Sequence, residues 1–339
     1  MSKTIGRIDF HLHSYASNVT DYYAANAFAI PESHSDPLVL HSLLKQRQMT
    51  LVTLTDHNSI DGAVEMLDAG LPDVFISAEM TTTFPEDGCN IHITIANVSP
   101  EQFREANRLR RNIYEMVAYL DLQISEEDRN PYGNRLIYFM THPLMSTQNR
   151  PFGREGSLTL EHIEKALLLC NTFEIRNGAR TKAINDLTTR LLTSLTPEVI
   201  ERLAFKHGIA PKGDAAWIKA FVGGSDDHSG INPGRTWTAF EYSGSHPTPN
   251  AVIDCIRRRA TRPEGLHGGP LTLAHSLLKL LYDGSRKTAA STHKPMLLDG
   301  PIRSLLRLVF EFEAEVRRKK SDARRRGFAK RCLAVGEAE

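Results

Sequence analysis

Short apolar runs rich in β-branched residues recur through the first two thirds of the chain. They are RIDFHLH (7–13), TLVTLT (50–55), DVFISA (73–78), NIHITIANV (90–98), RLIYFMT (135–141), NTFEIRN (171–177) and AFVGGS (220–225). Each has the length and composition of a strand. Segments with helical spacing lie between several of them. DPLVLHSLLKQRQ (36–48) starts on an Asp-Pro pair, LTLEHIEKALLLC (158–170) repeats apolar positions at Leu160, Ile163, Ala166 and Leu167, and PNAVIDCIRRRA (249–260) is a third. Strands alternating with helices predict an α/β fold with a parallel sheet, and this many strand candidates favour closure into a barrel. Residues 99–134, opening on a long polar helix, and residues 178–219 follow strand candidates and read as helical insertions that wall or cover a site.

The pattern changes at GLHGGP (265–270), which reads as a linker. Beyond it only helical spacing remains, with an apolar stripe of Ile302, Leu305, Leu306, Val309 and Val316. The following run, residues 317–331, holds nine Lys or Arg in fifteen positions. It reads as a solvated helix end and tail, with contact to nucleic acid or anionic lipid as the alternative. The expected division is therefore 1–266 and a helical extension, 267–339, which is a candidate oligomer contact.

Composition adds bounds. The chain has 339 residues, 41% apolar and 24% charged, with a net charge of +1. These are globular values, and the overall charge gives no argument for a nucleic-acid partner. Cys89, Cys170, Cys255 and Cys332 are scattered without C-x-x-C spacing and read as reduced thiols. The start, MSKTIGRIDF, lacks an apolar signal core, and no apolar run approaches the roughly 18 residues of a membrane span. A cytoplasmic location is expected.

The ends of the apolar runs carry the chemistry. His11 and His13 are two apart and share a strand face, as do Asp226 and His228. TLVTLT runs into Asp56 and His57, DVFISA into Glu79, RLIYFMT into His142, and His92 sits between Ile91 and Ile93. In α/β folds sites form at the carboxyl ends of strands. A satisfied core histidine or a helix cap at Asp56 or Asp226 explains one or two such positions, but not the set.

These motifs resemble a known family. DFHLHS is similar to an H-x-H first motif, LTDHNS to a T-D-H second, THP at His142 to a third and GGSDDHSG to a G-S-D-x-H fourth, all in order over residues 9–228. The chain is thereby identified with the polymerase and histidinol phosphatase (PHP) domain of metal-dependent phosphoesterases, over residues 1 to about 266. The resemblance implies a distorted (β/α)7 TIM-like barrel with helical insertions and two or three divalent ions at its mouth. By motif, His11, His13, Glu79 and Asp226 hold one ion, Glu79 bridges to a second held by His92 and His142, and His57 and His228 hold a third. Asp56 binds weakly or orients a ligand or water. The family often completes the third position with a His or Asp shortly after H-x-H; here the counterpart is Asn18, with Asp21 as the alternative. Cys89, three before His92, reads as a loop thiol.

Imidazole-rich donors with few carboxylates suit Zn, Mn or Fe. Three such ions carry twice the charge of Glu79, Asp226 and Asp56, so an anionic substrate and an activated water are expected. Asp56 and His228 are the candidate catalytic residues. Arg176 and Arg180, flanking NGA, and Arg235 are candidate phosphate clamps. Asn177 and Glu174 are candidates for the site wall, Glu174 being expected to point away from the cluster or to bind an arginine. The chemistry expected is hydrolysis of a phosphomonoester such as histidinol phosphate, a nucleotide or a sugar phosphate. The rivals are an exonuclease on single-stranded nucleic acid and a non-catalytic metal-binding module. A C–N hydrolase is disfavoured because no lysine sits at a strand end.

Overall fold

The computed structural model describes residues 4–17, 32–127, 133–145 and 156–292. In the first half these form β1 (Thr4–Ile8), α1 (Pro37–Gln46), α2 (Asp61–Asp68), β2 (Ser77–Phe84), β3 (Cys89–Ala96), α3 (Pro100–Leu109), α4 (Ile113–Glu127) and β4 (Ile137–Met140). The second half holds α5 (Leu160–Leu169), β5 (Thr172–Asn177), α6 (Lys182–Thr193), α7 (Pro197–His207) and β6 (Ala220–Gly224). It ends with β7 (Thr236–Tyr242), α8 (Pro249–Arg257), β8 (Arg262–Gly265) and α9 (Pro270–Thr292). The expectations for Asn18, Asp21, Cys332, the 302–316 stripe and the 317–331 basic run concern residues outside those described. The chain divides into two compact units, Met1–Ser276 and Leu277–Glu339. Among the described residues, no helix is long and apolar enough to cross a membrane.

The α/β class holds, with two differences from the sequence expectation. First, the sheet is mixed. Five strands lie in the order β2-β3-β4-β5-β6, antiparallel from β2 to β4 and parallel from β4 to β6. The PEDG turn (85–88) folds β2 directly onto β3 as a hairpin, with Gly88 at φ 75°. Strands β7 and β8 join β1 in a separate antiparallel sheet, order β1-β7-β8.

Second, the strands form no closed barrel among the described residues. Residues 9–13 and 50–57 are not regular strands. They carry single bridges, Leu12 to Asp227, Val52 to Val74 and His57 to Glu79. Backbone hydrogen bonds nevertheless tie these segments edge to edge: Asp226 N to His11 O (2.7 Å), His13 N to Asp227 O (3.1 Å) and Thr55 N to Leu12 O (2.9 Å). At the ends of neighbouring segments Asn58, His142 and Asp226 have φ of 50°, 30° and 50°, and a residue in that region cannot continue a pleat. The ladder breaks where side chains turn toward one point.

Two cores flank the five-stranded sheet. On β3, Ile91, Ile93 and Ile95 face the helices and are at most 1% exposed, packing with Met116, Leu120, Leu168 and Phe173. Burying each such side chain contributes about 1.5–3 kcal/mol. The alternate positions, His92, Thr94 and Ala96, face the other way. There Phe10 meets Phe75 and Phe139 edge-on, and Ile8, Val222 and Phe240 pack on Val252, Ile253 and Ile256 of α8. Polar caps set the helix starts. Asp36 accepts from Leu38 N and Val39 N, and Ser99 forms a reciprocal box with Gln102. The stretch expected as one long polar helix is two, α3 and α4, broken at Arg110–Asn112. At Gly224 a Cβ would lie 2.4 Å from both Cβ and N of His11, so only glycine lets β6 press against the H-x-H segment.

Candidate metal centre

The mixed sheet and its irregular edges bring His11, His13, His57, Glu79, His92, His142, Asp226 and His228 to one place. Glu79 is fully buried at its middle. Its Oε2 lies 3.1 Å from His11 Nε2, 3.3 Å from His13 Nε2 and 3.4 Å from His57 Nδ1. Its Oε1 lies 3.1 Å from His92 Nδ1 and 3.3 Å from His142 Nε2, and those two nitrogens are 3.3 Å apart. Asp226 Oδ1 is 3.4 Å from His11 Nε2 and 3.8 Å from His13 Nε2. A tetrahedral site with metal–nitrogen bonds near 2.05 Å places its donors about 3.3 Å apart. Four groups of three donors each lie mutually within 4.8 Å: His11-His13-Glu79, His11-His142-Asp226, His57-Glu79-His92 and His13-His57-His228.

The residues fit a cation on a second ground. His13 Nε2, His57 Nδ1 and His228 Nε2 are buried and make no hydrogen bond, although each is near a carboxylate. Buried donors and acceptors left this way cost free energy unless something joins them. The neighbouring atoms also fix which nitrogen faces inward. Glu174 Oε1 is 3.0 Å from His11 Nδ1, so Nδ1 carries the proton and Nε2 points at Glu79 and Asp226. The Asp226 carbonyl is 3.2 Å from His228 Nδ1 and can only accept, so that nitrogen also carries a proton. His13 Nδ1 is 3.2 Å from Ser17 Oγ.

Electrostatics divides the imidazoles. Burial, reinforced by repulsion from His228 and His57, pushes His13 down to about 3, and burial likewise lowers His142. Both are neutral ligand-type imidazoles. Burial opposes charge on His11, but Glu79, Asp226 and Glu174 raise it well above its usual value. Burial opposes charge on Glu79 too, and His11, His92 and His57 hold its carboxyl well below the usual range. Asp226 is held low against burial by His11, Arg180 and His228.

Asp56 and Glu174 both lie behind the imidazoles. Asp56 takes the orienting place that the sequence reading leaves open beside weak binding. Its Oδ1 accepts from Ser14 N (2.5 Å) and its Oδ2 from Ser14 Oγ (2.8 Å), while Ser17 Oγ lies 3.4 Å from Oδ1 and receives His57 N at 3.0 Å. It positions the H-x-H and T-D-H segments from beneath, and burial raises its carboxyl to about 6. Glu174 points toward the cluster rather than away. It pairs with His11 and accepts from His142 N (3.0 Å) and Asn177 Nδ2 (2.9 Å). The register shift between Glu174 and Arg176 explains this. A bulge puts Glu174 and Asn177 on one side despite their odd spacing.

The arginines separate. Arg180 Nη2 is 3.2 Å from Asp226 Oδ2, and its buried Nε has no hydrogen bond. Arg176 instead donates to Gly265 O (2.9 Å) and lines a cavity of about 380 Å³ with Asn185, Arg190 and His267. Arg235 is exposed, its backbone N donating to Asn232 O (3.0 Å). Cys89 is buried in β3, its thiol pushed up to about 12 by burial and by Asp87 and Glu86.

Two residues carried no sequence signal. Asp9, 1% exposed, accepts from His11 N (3.2 Å), Ser225 N (2.8 Å) and Gly234 N (2.7 Å), locking the first and fourth motifs together. Glu32, 8% exposed, places Oε1 3.0 Å from His228 Nε2 and Oε2 3.2 Å from His57 Nε2. Burial opposes its charge, but His57 and His228 hold it well below the usual range. In turn Glu32, then Asp226, lifts His228 to about 9 against burial.

No family model and no curated protein matches the chain. Among solved structures it is similar to PsfC from Pseudomonas syringae PB-5123, at 14% identity and TM-score 0.46, over 84% of this chain and all of that one. It is similar to the lesion-specific endonuclease EndoQ from Pyrococcus furiosus at 12% identity and TM-score 0.41, over 77% of this chain and 58% of that one. A Bifidobacterium adolescentis chain provisionally assigned as a metal-dependent phosphoesterase follows at 15% identity and TM-score 0.35, over 74% of this chain and 96% of that one.

Proposed function

We propose that the chain is a metal-dependent phosphoesterase that hydrolyses a phosphomonoester of a small metabolite. The observation that carries this reading is the position of Glu79, whose two oxygens face nitrogens of five histidines at 3.1–3.4 Å. One carboxylate among so many imidazoles is an arrangement for shared cations. His11, His13, Glu79 and Asp226 would hold one ion, Glu79 with His92 and His142 a second, and His57 and His228 would contribute to a third. Bound there, Zn, Mn or Fe supplies Lewis acidity toward a phosphoryl oxygen and lowers the pKa of water.

The chain's own groups do the rest. Glu174 and Asn177 keep His11 in one tautomer and orientation, and Ser17 does the same for His13 and for the backbone at His57. Such partners sharpen ligand basicity and geometry. Arg180 is the cationic side chain at the rim. Its unpaired Nε and its contact to Asp226 leave a planar fork for an anionic oxygen. His228, 18% exposed at its side chain, is the imidazole most open to solvent in the group, and an ion held there would lie nearest the entering substrate. The cations outweigh the carboxylates, so the substrate is an anion. Two features favour a phosphate ester over a C–N bond. Arg180 is present at the rim, and the buried lysine nearest β6, Lys219, donates to Leu167 and Cys170 carbonyls at the far end of the strand.

A screen of phosphorylated metabolites, with Zn and Mn supplied separately, tests the reading. Hydrolysis of p-nitrophenyl phosphate well above that of its bis-ester is expected. His11→Ala should lose metal and turnover together while keeping its helix signal. Full turnover in that variant would overturn the proposal.

A further inference from the structure

We infer that Glu32 is the carboxylate ligand of the third ion, taking the place that the motif pattern leaves to Asn18 or Asp21; this rests on the metal-centre reading above. Glu32 reaches His57 and His228 with one oxygen each, at 3.2 and 3.0 Å. Its Oε2, His228 Nε2 and His13 Nε2 are all buried without a hydrogen bond. The His13 ring stacks between the other two, with centroids 4.5 Å from His57 and 4.1 Å from His228. Two imidazoles, His57 and His228, and one carboxylate thus converge on one small volume beside His13, whose Nε2 faces Glu79 and the first ion. That donor set suits a borderline divalent cation.

The alternative is an ion pair with protonated imidazoles alone, and the ion count below separates it from a ligand role. A buried carboxylate needs a cation, and no lysine or arginine approaches Glu32 among its described contacts. Its neighbours are two histidines. His228 already spends its Nδ1 proton on the Asp226 carbonyl, so the lone pair of its neutral form is on Nε2, toward Glu32. The loop that carries Glu32 is pinned to the H-x-H segment. Ser33 Oγ donates to His13 O (3.2 Å), Tyr15 N donates to Ser35 O (2.9 Å), and Ser35 N donates to Ser33 Oγ (3.2 Å). Glu32 is therefore delivered to the site by the same backbone that presents His13. With Glu32 counted, each of the three positions has a carboxylate, and the third no longer depends on a neutral amide.

The test is metal counting on the full chain. Wild type, Glu32→Gln, Asn18→Ala and Asp21→Asn are stripped with chelator, dialysed against Zn or Mn, and measured by inductively coupled plasma mass spectrometry. Circular dichroism and melting of each variant check folding. The Gln variant keeps the shape of the side chain and removes its charge. It should bind one ion fewer per chain than wild type, while the Asn18 and Asp21 variants bind as many as wild type. Hydrogen exchange gives a second readout. Metal should protect amides around residues 32–36 in wild type and leave them unchanged in Glu32→Gln. Equal ion counts in wild type and Glu32→Gln, or loss of an ion in the Asn18 or Asp21 variant instead, would overturn the inference and leave the phosphoesterase reading standing. A wild type that binds no divalent ion would bring down both.

Discussion

The two halves of the centre are built differently. Glu79 and His92 stand on β2 and β3, an eight-residue antiparallel ladder in unbroken register from Ser77–Ala96 to Phe84–Cys89, and His142 follows β4 on the same sheet. The sheet itself fixes these donors. His13, His57 and His228 stand on segments joined by single bridges, Glu32 on one pinned through Ser33 and Ser35, and polar side chains do the holding. Asp9 ties three backbone N–H groups, and Asp56 ties Ser14 and Ser17. A ladder positions atoms through many small contacts. A buried polar network does so through a few strong ones, and fails when one is removed. The loop half should therefore be the more easily emptied, and the sheet half should tolerate changes in its surroundings better.

The largest break of this contrast comes at the shared residue. Glu79→Gln should empty both halves and lower turnover at least about 100-fold, the scale on which removing one electrostatic stabiliser acts; metal content and kcat would be read together. Next is Asp9→Ala, which leaves three buried N–H groups without an acceptor. At about 1 kcal/mol or more each, a loss of at least about 3 kcal/mol is expected in denaturant unfolding, with a lower melting temperature. A change of that size at Asp9 with intact sheet-half metal would sharpen the comparison.

Arg180→Ala comes third. Loss of a charge-assisted contact worth about 1.5–3 kcal/mol predicts a KM for phosphomonoester raised roughly 10- to 150-fold. Arg176→Ala and Arg235→Ala, whose side chains lie outside the cluster, should change it less than about 2-fold. The smallest effect is a pH dependence confined to the loop half. In the metal-free protein His228 is raised from 6.5 to about 9, with burial opposing and Glu32 as the main charge that lifts it. The stability this contributes is fully present below the unfolded value and is lost as pH rises through the folded one. Metal-free wild type should thus lose stability between pH 6.5 and 9, and Glu32→Gln should lose much less. Melting curves across that window check the sign.

Much of the sheet half was legible from the chain. His92 between two isoleucines and Glu79 at the end of an apolar run follow from alternation, because a strand face has period two. The same rule misled at β5. The bulge after Glu174 breaks the alternation, sending Glu174 inward and Arg176 outward, and no local pattern in NTFEIRN marks it. The barrel expectation came from counting apolar runs. It missed that segments 9–13 and 50–57 pair with their neighbours only through single bridges. The PEDG turn was a hairpin signal that went with an antiparallel start to the sheet. Glu32 was invisible for a different reason. It lies in the polar stretch ESHSD (32–36), where neither periodicity nor spacing distinguishes one carboxylate from its neighbours, and only the approach of His57 and His228 in space singles it out.

The central claim is that these donors enclose divalent cations at one place. Anomalous X-ray scattering from crystals grown with Zn or Mn, collected at the metal edge, tests it most directly. Peaks within bonding distance of Glu79 and of the nitrogens of His11, His13, His92 and His142 are expected. Crystals that contain the metal but show no anomalous peak near Glu79 would contradict the account.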